Sequence, residues 1–148
     1  EGKDVRLILG SAWGERAPVT MLSETFYADV ILDARAKLPM PDNHEDRGLY
    51  ITRGAVEIAG QTFEAGQMMV FRPGDAITVT AGPEGARLMA LGGETMGGPR
   101  HIWWNFVASS KEKIEEAKQA WARGDFANNP RFHLPPGDDA EFIPLPTR

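Results

Sequence analysis

From the first residues to about position 108 the chain is written in short alternating apolar and polar runs. Turn residues separate them at intervals of roughly 8 to 12, the habit of a β-sandwich or small barrel. Val5 to Leu9 is the first run. Between Thr25 and Leu32, the residues Phe26, Ala28, Val30 and Leu32 share one face and Thr25, Tyr27 and Asp29 the other, so one face is expected to be buried. Leu49-Tyr50-Ile51 is expected to lead through Arg53-Gly54 into Val56-Glu57-Ile58, and Gly60-Gln61 to turn that strand back through Thr62-Phe63. Gly66 precedes Met68 to Phe71, Arg72-Pro73-Gly74-Asp75 makes a turn, and Ile77-Thr78-Val79 follows. Gly82-Pro83-Glu84-Gly85 is then expected to turn into Leu88 to Leu91, giving about nine strands joined as a meander, with no internal repeat.

After Gly92-Gly93 and Gly97-Gly98-Pro99 comes a segment from Arg100 to Val107. If extended, it places Ile102, Trp104 and Phe106 on one face and His101, Trp103, Asn105 and Val107 on the other, so that both faces meet protein. Ser109 and Glu112 have the spacing of a capping box, which predicts that a helix starts there. Ile114, Ala117 and Trp121 fall at i, i+3 and i+7 as a narrow apolar stripe, and Gly124 is placed to end the helix in left-handed backbone. Asn128-Asn129-Pro130 and Leu134-Pro135-Pro136-Gly137 cannot continue it. The tail beyond is expected to be ordered only if Phe142, Ile143 and Leu145 dock.

Composition narrows the function. The 148 residues suffice for one ordinary domain, 42% hydrophobic and 25% charged residues suit a folded chain, and no apolar run approaches the roughly 18 residues that span a bilayer. Sixteen basic against twenty-one acidic residues give a net charge of -5, which repels a phosphate backbone, so direct binding to nucleic acid or membrane is not expected. Without cysteine there is no disulfide, thiolate nucleophile or cysteine-based metal site. The start, Glu1-Gly2-Lys3-Asp4-Val5, lacks an initiator Met and a secretion signal, so a piece of a longer cytoplasmic protein is expected.

Gly97-Gly98-Pro99-Arg100-His101-Ile102-Trp103-Trp104-Asn105-Phe106-Val107 followed by a Ser-Lys-Glu helix resembles the C-terminal signature of bacterial pirin-like proteins, and Gly137-Asp138-Asp139 through Pro146 is similar too. The resemblance covers nearly the whole chain. It implies an all-β fold, a cupin-type double-stranded β-helix (jelly-roll barrel) with one C-terminal helix. The expected layout is a single domain over 1–148: leading strands to about residue 24, barrel over 25–108, helix over 109–124 and tail over 125–148. Pirins are bicupins, and only the C-terminal barrel is resembled here. Cupins carry metal through a His-x-His…Glu…Gly motif and a His after a Pro-x-Gly turn. With Gly54 as the motif glycine, Arg47 stands where the Glu should be and Pro41, Asp42 or Asn43 where histidines should be, while Ile77 takes the second His position. A first-row metal wants imidazole or carboxylate donors at about 2.0 to 2.2 Å, and neither a guanidinium nor an isoleucine supplies one. No metal or other cofactor is therefore expected in this chain. The resemblance implies that a metal such as iron sits only in the N-terminal cupin.

No catalytic residue is assigned. His44, His101 and His133 are far apart, His44 and Glu45 diverge if extended, and no nucleophile elbow or phosphate loop is present. His44, Arg47 and Tyr50, with Asp46, are candidates for a polar pocket, the alternative being a solvated barrel mouth. Trp103, Trp104, Ile114, Trp121 and Phe142 are candidate interface residues, expected to meet the N-terminal cupin domain or, in a homodimer, a second copy; a tail folded back over them is the alternative. Two functions follow. One is structural, a metal-free half that completes a bicupin; the other is enzymatic, a wall of a quercetin-cleaving dioxygenase in the intact parent.

Overall fold

The computed structural model describes residues 2–138 and 140–147. Among them are ten strands and one helix, in two compact units spanning 1–95 and 96–148. The first unit holds β1 (Lys3–Ala12), β2 (Glu15–Arg16), β3 (Thr25–Leu32), β4 (Lys37–Pro39), β5 (Asp46–Ile58), β6 (Gln61–Glu64), β7 (Met68–Phe71) and β8 (Thr78–Gly93). Its sheet runs β2-β1-β3-β8-β5-β6, with β4 also on β8 and β7 also on β5. This is not the expected meander. β8, last in sequence, pairs with β3, β4 and β5, so the long-range pairs and not the hairpins define the jelly roll.

The period-two reading of β3 holds: Phe26, Ala28, Val30 and Leu32 are buried and meet Leu49, Ile51, Val56, Val79, Leu88 and Ala90 in one aliphatic core. The expected turn at residues 82–85 is instead a bend within a long strand, and Arg53-Gly54 is a second bend, within β5. β5 passes through Arg53-Gly54 without reversing, its register to β8 shifting on both sides of that dipeptide. Residues 82–85 are inserted into β8 opposite Ala55, between the pairs Gly54↔Ala86 and Val56↔Ala81. A glycine at positive φ looks the same in sequence whether it reverses a chain or kinks a strand. Here Gly54 has φ 77° and Gly85 φ 75°, and a Cβ on Gly54 would lie 2.3 Å from the Gly85 carbonyl oxygen. That close approach lets β5 and β8 bend together. The β5–β6 turn is Ala59-Gly60, both at positive φ, one residue earlier than expected, because Ile58 pairs with Gln61.

The second unit holds β9 (His101–Trp103), β10 (Phe106–Ala108) and α1 (Lys111–Ala122). The segment over 100–107 is grouped with the helix and tail in this unit. Residues 100–107 do not form one extended segment: the chain reverses at Trp104-Asn105, with Trp104 at φ 52° and Phe106 paired with Trp103. The reversal brings both indoles and Phe106 into one cluster and leaves Ile102 and Val107 72% and 62% exposed, so the two faces do not both meet protein. The helix is capped by Ser110 and not by Ser109, the Ser110 hydroxyl accepting from the Lys113 amide at 3.3 Å while Ser109 accepts from Lys113 Nζ. Glu112 then sits in the first turn, where its own backbone amide, then the Ser110 hydroxyl, hold its carboxyl below the ordinary value. Ile114 and Ala117 are buried as expected, and Gly124 follows the helix at φ 65°.

Candidate functional site

Strand parity turns Arg47 inward. Arg47, Leu49 and Ile51 alternate along β5 with Asp46 and Tyr50, which face solvent, and Arg47 is 3% exposed. Its ladder neighbours are Phe71 on β7 and Gly92 on β8, and Gly92 pairs onward with Phe26. The guanidinium donates to the carbonyl oxygens of Pro41 at 3.0 Å, Arg72 at 3.3 Å and Asp75 at 2.7 Å. It thereby ties the segment before β5 to the turn after β7. Nε is buried without a partner, and no carboxylate among the described residues pairs with this cation. Burying an arginine on carbonyl dipoles alone is costly, and only the fork of donors aimed at three acceptors offsets it.

The remaining positions of the cupin motifs do not converge on Arg47. Asp42, Asn43 and Glu45 point to solvent, Pro41 offers only its carbonyl, and Ile77 packs against the core while its own carbonyl accepts from the Met40 amide. His44 is buried, with Nε2 2.7 Å from the Ser11 carbonyl oxygen and its ring 4.8 Å from that of Phe26. Among the described residues no three His, Asp or Glu side chains gather as a metal site. A permanent guanidinium cation where a cupin places a carboxylate repels a divalent ion and donates nothing to it, so these residues do not fit the metal implied by the fold.

Of the pocket candidates, Arg47 and Asp46 border a groove of about 400 Å³ that also involves Tyr27, Gly48, Met68, Val70 and Leu91; His44 and Tyr50 do not line it. Register explains this groove. Tyr27, Leu91, Gly48 and Val70 form one row across β3, β8, β5 and β7, and Asp29, Met89, Tyr50 and Met68 form the next, all on the face away from the core. Gly48 leaves a dip in which the Met68 methyl lies, 2.8 Å from where a Cβ would stand. Val70 is 78% exposed, so this outer sheet face presents apolar surface. Gly48, Met68 and Val70 carry no functional motif of their own in the sequence; period two from the inward Leu49 is the signal that places them outside.

In the second unit, Trp103, Trp104, Trp121 and Ile114 do come together. Trp121 lies edge-on to Trp104, Phe106, Phe126, Phe132 and Phe142 at 5.1 to 6.2 Å, and Lys118 Nζ sits 4.7 Å over Trp103. Such offset aromatic contacts stabilise beyond the area they bury. The tail folds back: Trp121 Nε1 donates to the Ile143 carbonyl at 2.8 Å, and Phe142 and Leu145 pack on the cluster. Ile143 docks through its backbone, its side chain staying exposed. Asn129, read in the sequence only as a helix breaker, is buried, donating to the Ala120 carbonyl at 2.9 Å and accepting from the Arg131 and Phe132 amides. It satisfies a free carbonyl of the last helical turn and fixes the chain that follows.

Comparison with known proteins matches this geometry. The family model of the pirin C-terminal cupin domain matches residues 27–127. A pirin-like protein of Caulobacter vibrioides is 41% identical over 145 residues, covering 98% of this chain and 48% of that one. A Pseudomonas aeruginosa protein, provisionally named a quercetin 2,3-dioxygenase, is 31% identical over 145 residues, covering 92% and 46%. The crystal structure of quercetin 2,3-dioxygenase from Acinetobacter baumannii superposes with a TM-score of 0.79 at 25% identity over 99% of this chain and 48% of that one. The chain spans about half the length of the curated relatives it matches. No helix among the described residues is long and apolar enough to cross a membrane. With the sheet order of a jelly roll, the aromatic hairpin before its helix and a family model covering most of the sequence, the chain belongs to the pirin family and carries its C-terminal cupin domain.

Proposed function

We propose that this domain is a metal-free cupin with a structural and interaction role, the half of a bicupin that packs against an N-terminal cupin domain bearing the metal. The observation that carries the reading is Arg47, whose buried guanidinium occupies the carboxylate position of the cupin motif and is committed to three backbone carbonyls. The apolar outer face around Gly48, Met68 and Val70 supports the packing role, because such surface seldom stays wet. Elemental analysis after iron reconstitution tests it: no stoichiometric iron, nickel, zinc or copper is expected, and one metal per chain that resists mild chelation overturns it.

A second reading is favoured by the similarity to the A. baumannii quercetin 2,3-dioxygenase. In it the intact protein is a flavonol-cleaving dioxygenase and this domain forms a wall of the site. The iron-reconstituted domain alone should then consume no quercetin above a buffer-plus-iron blank, while the intact protein should. Turnover by this chain that disappears on His44→Ala would reject both readings.

A further inference from the structure

Two grooves flank the β9–β10 hairpin where it lies on α1. The one beside β10, about 480 Å³, is bordered by five consecutive residues from Asn105 to Ser109, and by Lys113, Ile114, Ala117, Arg131 and Phe132. Ile114, Ala117 and Phe106 are buried and make an apolar floor, whereas Lys113 and Arg131 are exposed and make a cationic rim. The strand edge on this groove is free: among the described residues β10 pairs only with β9. The two-residue turn at Trp104-Asn105 makes Trp103 and Phe106 the pair that exchanges hydrogen bonds, so the next pair, Ile102 and Val107, directs its N–H and C=O groups outward. Val107 therefore presents one backbone donor and one acceptor to the groove. On the rim, Lys113 Nζ has a hydroxyl partner, Ser109 Oγ at 3.1 Å, and no carboxylate among the described residues within ion-pair reach, whereas Arg131 is paired with the Glu116 carboxylate at 3.4 Å. Lys113, a cation without a carboxylate partner among the described residues on a chain of net charge -5, sets the sign of what the groove accepts, with Arg131 shared between Glu116 and the rim.

We propose that this groove binds an extended, acidic segment of another polypeptide, added as a strand along the β10 edge. Its backbone pairs with Val107, the side chains on the Phe106 and Ala108 side are apolar and cover Ile114, Ala117 and Phe132, and its carboxylates meet Lys113 and Arg131. The chemistry read is thus acidic residues flanking apolar-x-apolar. A small anion would use the rim and leave both the strand edge and the floor uncovered. This site lies outside the barrel and does not depend on the metal-free reading.

The test uses the whole 148-residue chain and a fluorescein-labelled peptide with a Glu-Val-Thr-Val-Asp centre, followed by anisotropy and by amide exchange. Saturable binding is expected, with slower exchange at the Val107 amide. The same peptide with Lys in place of Glu and Asp should not bind. Lys113→Glu should weaken binding by about tenfold. It leaves the helix intact, because Glu at the third helical position completes a capping box with Ser110. Val107→Pro, which removes the edge donor without removing a β9 bond, should weaken binding comparably. Near-ultraviolet circular dichroism confirms that each variant is folded. Absence of saturable binding, equal binding of the Lys peptide, affinity untouched by both substitutions, or protection away from Val107 would each overturn the proposal.

Discussion

The two units solve the burial problem by opposite means. The first packs Ala, Val, Leu and Ile from strands of up to 16 residues, with Phe26 the one aromatic among its fully buried side chains. The second has a hairpin of two three-residue strands and a 12-residue helix, and its interior is built from three tryptophans and four phenylalanines meeting edge-on or stacked. Short hairpins and short helices are marginal alone, so few, large contacts must hold what a ladder holds in the barrel. A sheet spreads stability over many equivalent pairs, whereas a small aromatic cluster concentrates it in single rings.

The sharpest way to break this contrast is Trp121→Ala, which removes a ring touching five others and the donor to the Ile143 carbonyl. A loss of about 3 to 5 kcal/mol is expected. Limited proteolysis should then cut within 96–148 while the barrel stays resistant; uniform cleavage throughout the chain would contradict the comparison.

Next in size is Arg47→Met, the barrel's own point of concentration. Three carbonyls lose their donor, and about 2 to 3 kcal/mol should be lost in urea unfolding. Arg47→Lys should recover little, because an ammonium cannot reproduce the planar fork.

A smaller effect separates the two serines before α1. Ser110→Ala should cost about 1 kcal/mol and Ser109→Ala close to none, read from thermal melts of the two variants side by side.

Smallest is the exposed Asp29–Arg87 pair on the outer face, bonded at 2.7 and 2.9 Å. The hydrogen bond from Arg87 holds the Asp29 carboxyl below its ordinary value of 3.8. A carboxyl depressed in the folded state stabilises above its unfolded pKa, and that contribution is lost as pH falls through the lower folded one. Melts of Asp29→Asn should therefore converge on the parent's as pH drops below about 4 and diverge modestly above it. A gap that widens on acidification would reverse the sign of the pair.

How much of this was legible in the sequence depends on the kind of signal. Alternation in β3 placed Phe26, Ala28, Val30 and Leu32 correctly because one face meets core along its whole length. Glycine was ambiguous: Gly54 and Gly85 carry turn signals yet serve bends in strands that continue, and only pairing partners far along the chain decide between the two. The hairpin at Trp104-Asn105 was hidden because an indole at positive φ takes a place usually held by Gly, Asn or Asp. At the candidate site, the motif count found Arg47 and Ile77, but not that Arg47 would turn inward onto the carbonyls of Arg72 and Asp75, residues about 25 positions away. Asn129 was missed for a similar reason: a breaker in one dimension is a cap in three.

The position of β8 has a consequence for synthesis. It is the common partner of β3, β4 and β5, and it is the last strand of its unit to leave the ribosome. Until residue 93 has emerged, three earlier strands carry unpaired edges and an uncovered apolar face, the state in which nascent β-proteins associate wrongly. The sequence separations that β8 must bridge also raise contact order and slow closure. Chaperone demand should therefore peak late in translation of this unit, and a pause placed before β8 should lower the yield of folded protein more than the same pause placed after it.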